Sequence, residues 1–295
     1  MKFFIKEISI LFIITFLIGE LICRFSPIVS DVPIRGNRDG YYLLKERQNG
    51  IYIRGKLPRW LNAEYSINNY GFNSSKDYFF DKDLKPKIAI IGDSFVEGFQ
   101  VDVTKSIGRL VEQLNPNYEV YELGLSGFNF FDYQELYQKY NLQNFEKVFI
   151  LLDKNDVLTT KSDKVVFTKD IEIKERVFRK IYNSSMFFKY LNFNHGIIRE
   201  IQRIFKTFNS INNIFSFSNK KQIQPFDINQ FIKSNHNIEL ILKSKKDTLL
   251  KNYYPDLNFI TIKEELTPID FGFDKHWNLN GRKNVANTIL SRMRK

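Results

Sequence analysis

Three short strand-like runs, two of them nearly unbroken in apolar character, constrain this chain more than any other feature. They are Lys87–Ile91 (KIAII, closed by Gly92), Tyr118–Leu123 (closed by Gly124) and Lys147–Leu152 (KVFILL). Short apolar runs bounded by turn residues read as buried strands. In the first and third, successive rather than alternate positions are apolar, so both faces of those strands need cover. Between the runs the spacing becomes helical. Ile107, Leu110, Val111 and Leu114 recur within Thr104 to Leu114, and Asp132 to Tyr140 suits a helix with Asp132 as its N-cap. Strands alternating with helices predict an α/β fold, a parallel sheet with helices on both faces.

Around this centre the pattern predicts three regions. Residues 1–24 form an apolar leader, 25–86 an irregular lead-in rich in Pro, Gly, Asn and Tyr, and 87–295 the main domain. Within the lead-in, Tyr65 to Phe72 reads as a packed turn. A helical insertion is expected around 160–245, where Val177 to Phe217 carries patches of Phe, Ile and Asn that suit an insertion or a lid. Ile238 to Leu250 reads as helix, Asn258 to Ile262 as a late strand, and Asn278 to Met293 as a terminal helix. The 295 residues are 43% hydrophobic, which is enough for one sizeable core. The single cysteine, Cys23, rules out an intrachain disulfide or a cysteine-built zinc site.

The leader argues for export or anchoring. Ile8 to Gly19 (ISILFIITFLIG) is uncharged, Glu20 interrupts it, and Leu21 to Cys23 extends it. Lys2 and Lys6 precede the run, as suits a cytoplasmic start. As a helix, Ile8 to Cys23 spans about 24 Å, short of the hydrocarbon core of roughly 30 Å, so flanking residues must snorkel or the bilayer thin. No small-x-small cleavage site follows convincingly, and Glu20 and Ile22 are the wrong neighbours of Cys23 for a lipoprotein signal. The expectation is an uncleaved anchor with the rest of the chain extracytoplasmic; the alternative is secretion after signal-peptide cleavage. The net charge is +11. It suits an anionic membrane surface, an acidic glycan or simply a lysine-rich exterior. The basic residues are scattered, without a dense basic helix interleaved with aromatics, so no nucleic-acid partner is expected.

The candidate chemistry gathers at the predicted strand ends. Ser94, in Ile91-Gly92-Asp93-Ser94-Phe95, follows the first strand directly, where sites of open α/β sheets form. A serine entering a helix there gains a backbone amide and a positive helix end, both favourable to an oxyanion. The same tripeptide also suits a tight turn with Ser94 as N-cap. After the second strand, Gly127 offers a backbone N–H unobstructed by a side chain. After the third, Asn155 offers its side-chain amide. Together they suit an oxyanion hole, although a strand-end turn and an Asx turn explain each separately. A serine hydroxyl needs a base, and a histidine base needs a carboxylate to fix its tautomer. Of the three histidines, His195 and His236 have no acid within two positions, whereas His276 has Asp274 two residues before it.

The segments IGDSF, GLSGFN, LLDKNDV and FDKHWNLNGRKNVA together resemble the four sequence blocks of the SGNH (GDSL-like) hydrolase superfamily, in the same order. The resemblance covers Lys87 to Asn155 and about Phe271 to Lys295. It implies a three-layer α/β/α fold with a flavodoxin-like parallel sheet. It also implies Ser94 as nucleophile and first oxyanion donor, Gly127 and Asn155 as the other donors, and Asp274 and His276 as the rest of a triad. The implied activity is hydrolysis of an O-acyl ester of a glycan or lipid, with no cofactor and no metal. The Asp-x-His spacing departs from the commoner form with the acid three residues before the histidine. It is similar to that of alginate-acetyltransferase-like members, which makes transfer to an envelope polysaccharide the alternative. A catalytically silent glycan-binding protein is a further alternative. Lys154, where a small residue often precedes the asparagine, is the second departure.

Overall fold

Residues 25–86 hold four strands where the sequence predicts few regular elements. The computed structural model describes residues 2–38, 41–56, 59–81, 85–157, 184–197, 200, 203, 228–262 and 268–293. Helix α1 (Lys2–Phe25) is followed by β1 (Arg35–Arg38) and β2 (Tyr41–Leu44), which pair antiparallel. The strands β3 (Asn49–Lys56) and β4 (Arg59–Ser66) form a second two-stranded sheet. In β4 the buried residues Leu61, Ala63 and Tyr65 alternate with exposed ones, the period of a half-covered strand. In β1 (RGNR) and β3 (NGIYIRGK), by contrast, Gly, Asn and Arg break the apolar pattern.

The main sheet contains β5 (Lys87–Gly92), β6 (Glu119–Gly124), β7 (Lys147–Leu152), β8 (Ile238–Leu242) and β9 (Phe259–Thr261). All are parallel, in the order β6-β5-β7-β8-β9. In sheet numbering this is 2-1-3-4-5, the flavodoxin-like order, and the strand order reverses between β5 and β7. The connections explain the layers. From β5 the chain passes through α2 (Ser94–Glu97) and α3 (Ile107–Leu114) outward to β6. It returns through α4 (Phe130–Lys139) to β7 on the far side of β5. Right-handed crossovers in opposite directions place α3 and α4 on opposite faces of the sheet. Ile88 and Ile90 share one core cluster with Ile107, Val111, Val285 and Ile289, the last two from the C-terminal helix. The intervening Ala89 and Ile91 are equally buried, as cover on both faces requires.

After β7 come α5 (Lys154–Val157), α6 (Met186–His195), α7 (Asn229–Ser234), α8 (Leu250–Tyr253) and α9 (Leu279–Met293). Two readings from sequence are corrected here. Ile238–Leu242 is a strand in register with β7, not the start of a helix through Leu250. Its apolar run is too short for periodicity to separate the two states, and pairing with β7 decides it. The N-cap of α4 is Asn129, and Asp132 is its capping-box partner at the third helical position. Of the insertion expected around 160–245, residues 160–183, 198–199, 201–202 and 204–227 lie outside the described residues.

The chain divides into two compact units. One gathers residues 1–32, 51–62 and 168–221; the other, 33–50, 63–167 and 222–295, contains the parallel sheet. Within the sheet unit, Gly124 lets α2 lie directly on the end of β6. A Cβ there would stand 2.5 Å from the Glu97 nitrogen and 2.6 Å from the Val96 Cβ. Gly124→Ala is therefore expected to lower stability by roughly 1–3 kcal/mol, the usual cost of overpacking, as read by urea denaturation.

Candidate active site

The end of β5 turns abruptly into α2, and Asp93 makes that turn. Its carboxylate accepts from the Phe95 N–H at 3.0 Å, and its carbonyl accepts from Val96 and Glu97. Ser94 is thereby the first helical residue, with its side chain partly exposed at the carboxyl edge of the sheet. Its Oγ lies 2.8 Å from His276 Nε2. His276 Nδ1 lies 2.5 Å from Asp274 Oδ1, and the same oxygen accepts the His276 backbone N–H at 2.9 Å. With Nδ1 as donor to the carboxylate, Nε2 is left as an acceptor for the serine proton. Asp274 is almost fully buried (side-chain exposure 2%), whereas His276 keeps 22% of its side chain accessible. The Phe95 ring packs 4.8 Å from the imidazole and 4.8 Å from Trp277.

The loop bearing Asp274 and His276 is held at both ends. An isolated antiparallel bridge joins Asp270 to Trp277. The Asn278 amide donates to the Pro268 and Asp270 carbonyls, and its oxygen accepts from Gly281 N–H at the start of α9. Arg282, buried in α9, donates to the Gly98 carbonyl at 2.5 Å, tying the histidine-bearing segment to the helix that begins with Ser94. Burial draws the Arg282 guanidinium down to a pKa of about 10, against the pull of Glu122 and Asp102.

Gly127 and Asn155 occupy the same sheet edge, after β6 and after β7, and both are exposed. Gly127 has φ of 92°, a left-handed conformation that only glycine adopts without strain, and no atom lies within 4 Å of where its Cβ would stand. Its loop is gripped from two sides. Glu97 accepts from the Ser126 N–H at 3.1 Å and from the Ser126 hydroxyl, while Arg35 donates to the Ser126 carbonyl at 3.3 Å. Burial pushes the Glu97 carboxyl up, against the opposing pull of Arg35 and Ser126.

One residue of this edge escapes a reading of the sequence. Lys243, just past β8, has 2% of its side chain exposed, and its ammonium meets Asp156 at 2.8 Å, Asp93 at 2.9 Å and Asp153 at 3.4 Å. Asp93 shapes the Ser94 turn. Asp153 accepts from the Asn155 N–H at 2.6 Å, and Asp156 accepts from the Asp153 N–H at 2.8 Å. The three carboxylates are close enough to hold a metal ion, and the cation they hold is the Lys243 ammonium. Burial alone would lower the Lys243 pKa; Asp156, Asp93 and Asp153 outweigh it and raise it above the ordinary lysine value. For Asp156, burial pushes the carboxyl up, Lys243 pulls it down, and Asp93 and Asp153 push it up again, to about 7. In the sequence, the partners are an unremarked lysine and the aspartates of two loops some 90 and 150 residues away.

Comparison with family models finds no match for this chain, and comparison with curated proteins finds none either. Solved structures do show similarity. A protein described as lipolytic, of the G-D-S-L family, from Desulfitobacterium hafniense DCB-2 is 14% identical, with 70% of this chain and 98% of that one covered and a TM-score of 0.36. A carbohydrate esterase family 2 enzyme with a carbohydrate binding domain, from Corynascus thermopiles (Myceliophthora fergusii), is 12% identical over 75% of this chain and 68% of that one, with a TM-score of 0.35. A second G-D-S-L family protein, from Veillonella parvula DSM 2008, is 16% identical over 70% and 96%, with a TM-score of 0.30.

The Lys243 cluster generates two expectations. The folded-state pKa of Asp156 is raised from 3.8 to about 7, so the stabilisation is present below pH 4 and lost as pH rises through 7. Stability measured by denaturation from pH 4 to 8 should therefore decline less in Asp156→Asn than in the parent. Lys243→Met, which leaves the buried Asp156 and the half-buried Asp93 and Asp153 without their cation, should lose roughly 3–5 kcal/mol, and adding Asp156→Asn should recover part of that loss.

Proposed function

We propose that this chain is a serine esterase of the SGNH type. It would act on O-acyl esters, acetyl in the leading case, of a cell-envelope glycan or lipid. The observation that carries the reading is the hydrogen-bonded series Ser94–His276–Asp274, at 2.8 Å and 2.5 Å. In the proposed reaction Ser94 Oγ attacks the acyl carbonyl carbon as His276 Nε2 takes its proton. Charge develops on the carbonyl oxygen. The backbone N–H groups of Ser94 and Gly127 and the Asn155 side-chain amide are the donors assigned to it, each worth roughly 2.7–4 kcal/mol in the transition state. The C–O bond to the alcohol breaks, and the imidazolium gives the leaving oxygen its proton. Water then attacks the acyl-serine with His276 again as base, releasing the acid and returning the hydroxyl to Ser94. Asp274 stays ionised throughout and steadies the imidazolium. The partial exposure of His276 leaves room for the second nucleophile. A sugar hydroxyl in place of water would give the O-acetyltransferase reading.

The envelope setting rests on α1. Within it, Lys6–Phe25 is apolar enough to cross a membrane by length and composition, and most of its large side chains, Leu11, Phe12, Leu17 and Leu21 among them, are exposed. Such a helix serves either as a signal anchor or as a signal peptide.

The test is turnover of p-nitrophenyl acetate by the full chain in detergent. Ser94→Ala and His276→Ala are each expected to lose on the order of 10⁴-fold or more in kcat, and Asp274→Asn somewhat less. Equal turnover in parent and Ser94→Ala would remove the catalytic reading. With acetylated and unacetylated oligosaccharides both supplied, mass spectrometry should find free acetate. Acetylated acceptor instead would mean transfer.

A further inference from the structure

Glu20 interrupts the apolar run of α1, about 7.5 Å from the helix end at Phe25 at ~1.5 Å per residue. A carboxylate at that depth in a membrane helix needs partners, and it has four. Glu20 accepts from the Ser185 hydroxyl at 2.7 Å, from the Met186 N–H at 3.1 Å and from the Phe187 N–H at 3.0 Å, and it pairs with Arg24 at 2.8 Å. It therefore satisfies the free N–H groups that open α6, alongside Ser185, which caps Phe188 N–H at 3.0 Å.

The packing beneath that cap is equally specific. The Phe187 ring lies on Gly19, 2.8 Å from where a Cβ would be, and meets Phe16 edge-on with centroids 5.8 Å apart. Phe16, Gly19, Glu20 and Cys23 follow the spacing i, i+3, i+4, i+7, one stripe of the helix. They are the partly or fully covered residues of its outer half down to Cys23, while Leu17, Ile18, Leu21 and Ile22 between them are exposed. At its other end α6 joins β3: Asn194 accepts from the Gly55 N–H at 3.1 Å, and Phe193 packs on Tyr52 at 5.3 Å. The hydrophobic segment of a cleaved signal peptide has no lasting partner in the mature protein. This one carries a fitted face for α6.

We propose that α1 is retained in the mature protein as a membrane anchor, and that α6 docks on its outer end as an interfacial helix, clamped by Glu20 and in contact with lipid. The proposal rests on the membrane reading of α1 and is independent of the esterase chemistry. It suits the composition of α6, MFFKYLNFNH, whose four aromatic rings and one lysine fit a helix lying at a bilayer surface.

The full chain, expressed in a bacterial host and fractionated, tests it in two arms. Intact mass should show an uncleaved N-terminus in carbonate-washed membranes. A soluble chain shortened near Gly19 to Phe25 would overturn retention, and an intact chain released by carbonate would overturn the membrane reading. In the second arm Glu20→Leu makes α1 more apolar, so insertion alone predicts firmer anchoring and nothing else. Docking predicts that limited proteolysis within residues 184–196 becomes roughly fivefold faster in the membrane-bound variant, the loss of one helix cap. Unchanged proteolysis would overturn the docking. Neither arm reads esterase activity, so failure here leaves the Ser94 chemistry standing, and the reverse also holds.

Discussion

Lys243 places an ammonium group in the interior at the carboxyl edge of the sheet, and three loops are organised around it. Its partners come from the end of β5 (Asp93) and the segment after β7 (Asp153 and Asp156), while Lys243 itself follows β8 directly. A buried ammonium is tolerated only with close counter-charges, and three carboxylates crowded together are tolerated only with a cation among them. Each side therefore holds the other in place. Asp93 sets the turn that presents Ser94, and Asp153 accepts from the backbone of Asn155. The turn that carries Ser94 and the loop that carries Asn155 consequently share a single electrostatic centre.

A second set of contacts brings His276 to Ser94. Ser94 and His276 are 182 positions apart in the chain and 2.8 Å apart in space. The separation is closed by packing of α9 against α3 and the sheet, where Val285 and Ile289 share a core with Ile107 and Val111. The Arg282 bond to Gly98 refines the alignment, since it links the start of α9 directly to the end of α2. The hydrophobic core thus supplies the approach, and a few charge-assisted hydrogen bonds supply the register, a division that suits groups needing sub-ångström placement.

Much of the fold could be read from the chain because the central strands are buried on both faces. KIAII and KVFILL leave no polar position for solvent, so their state shows in composition alone. IELIL reads as helix from sequence because five apolar-rich residues fit either period, and only pairing with β7 distinguishes the two. β1 and β3 escape such a reading for the opposite reason: Gly, Asn and Arg break their apolar pattern. The residues proposed for chemistry were visible because each lies beside a predicted strand end or, for His276, beside a nearby acid. Lys243, Glu97 and Arg35 were not, because each acts on a residue tens of positions away and no local pattern marks it.

By itself the sequence determined the alternation of buried strands and helices, the candidate serine, histidine and aspartate, and the apolar leader. These follow from local composition and spacing, which short-range sterics and hydrophobic burial impose directly on neighbouring residues. Only the tertiary structure decided the strand order, the approach of His276 to Ser94, the ion cluster around Lys243 and the clamp of Glu20 on α6. Those depend on which distant segments meet, and that choice is made by the joint packing of the core and the pairing of buried charges, which no single stretch of the chain encodes.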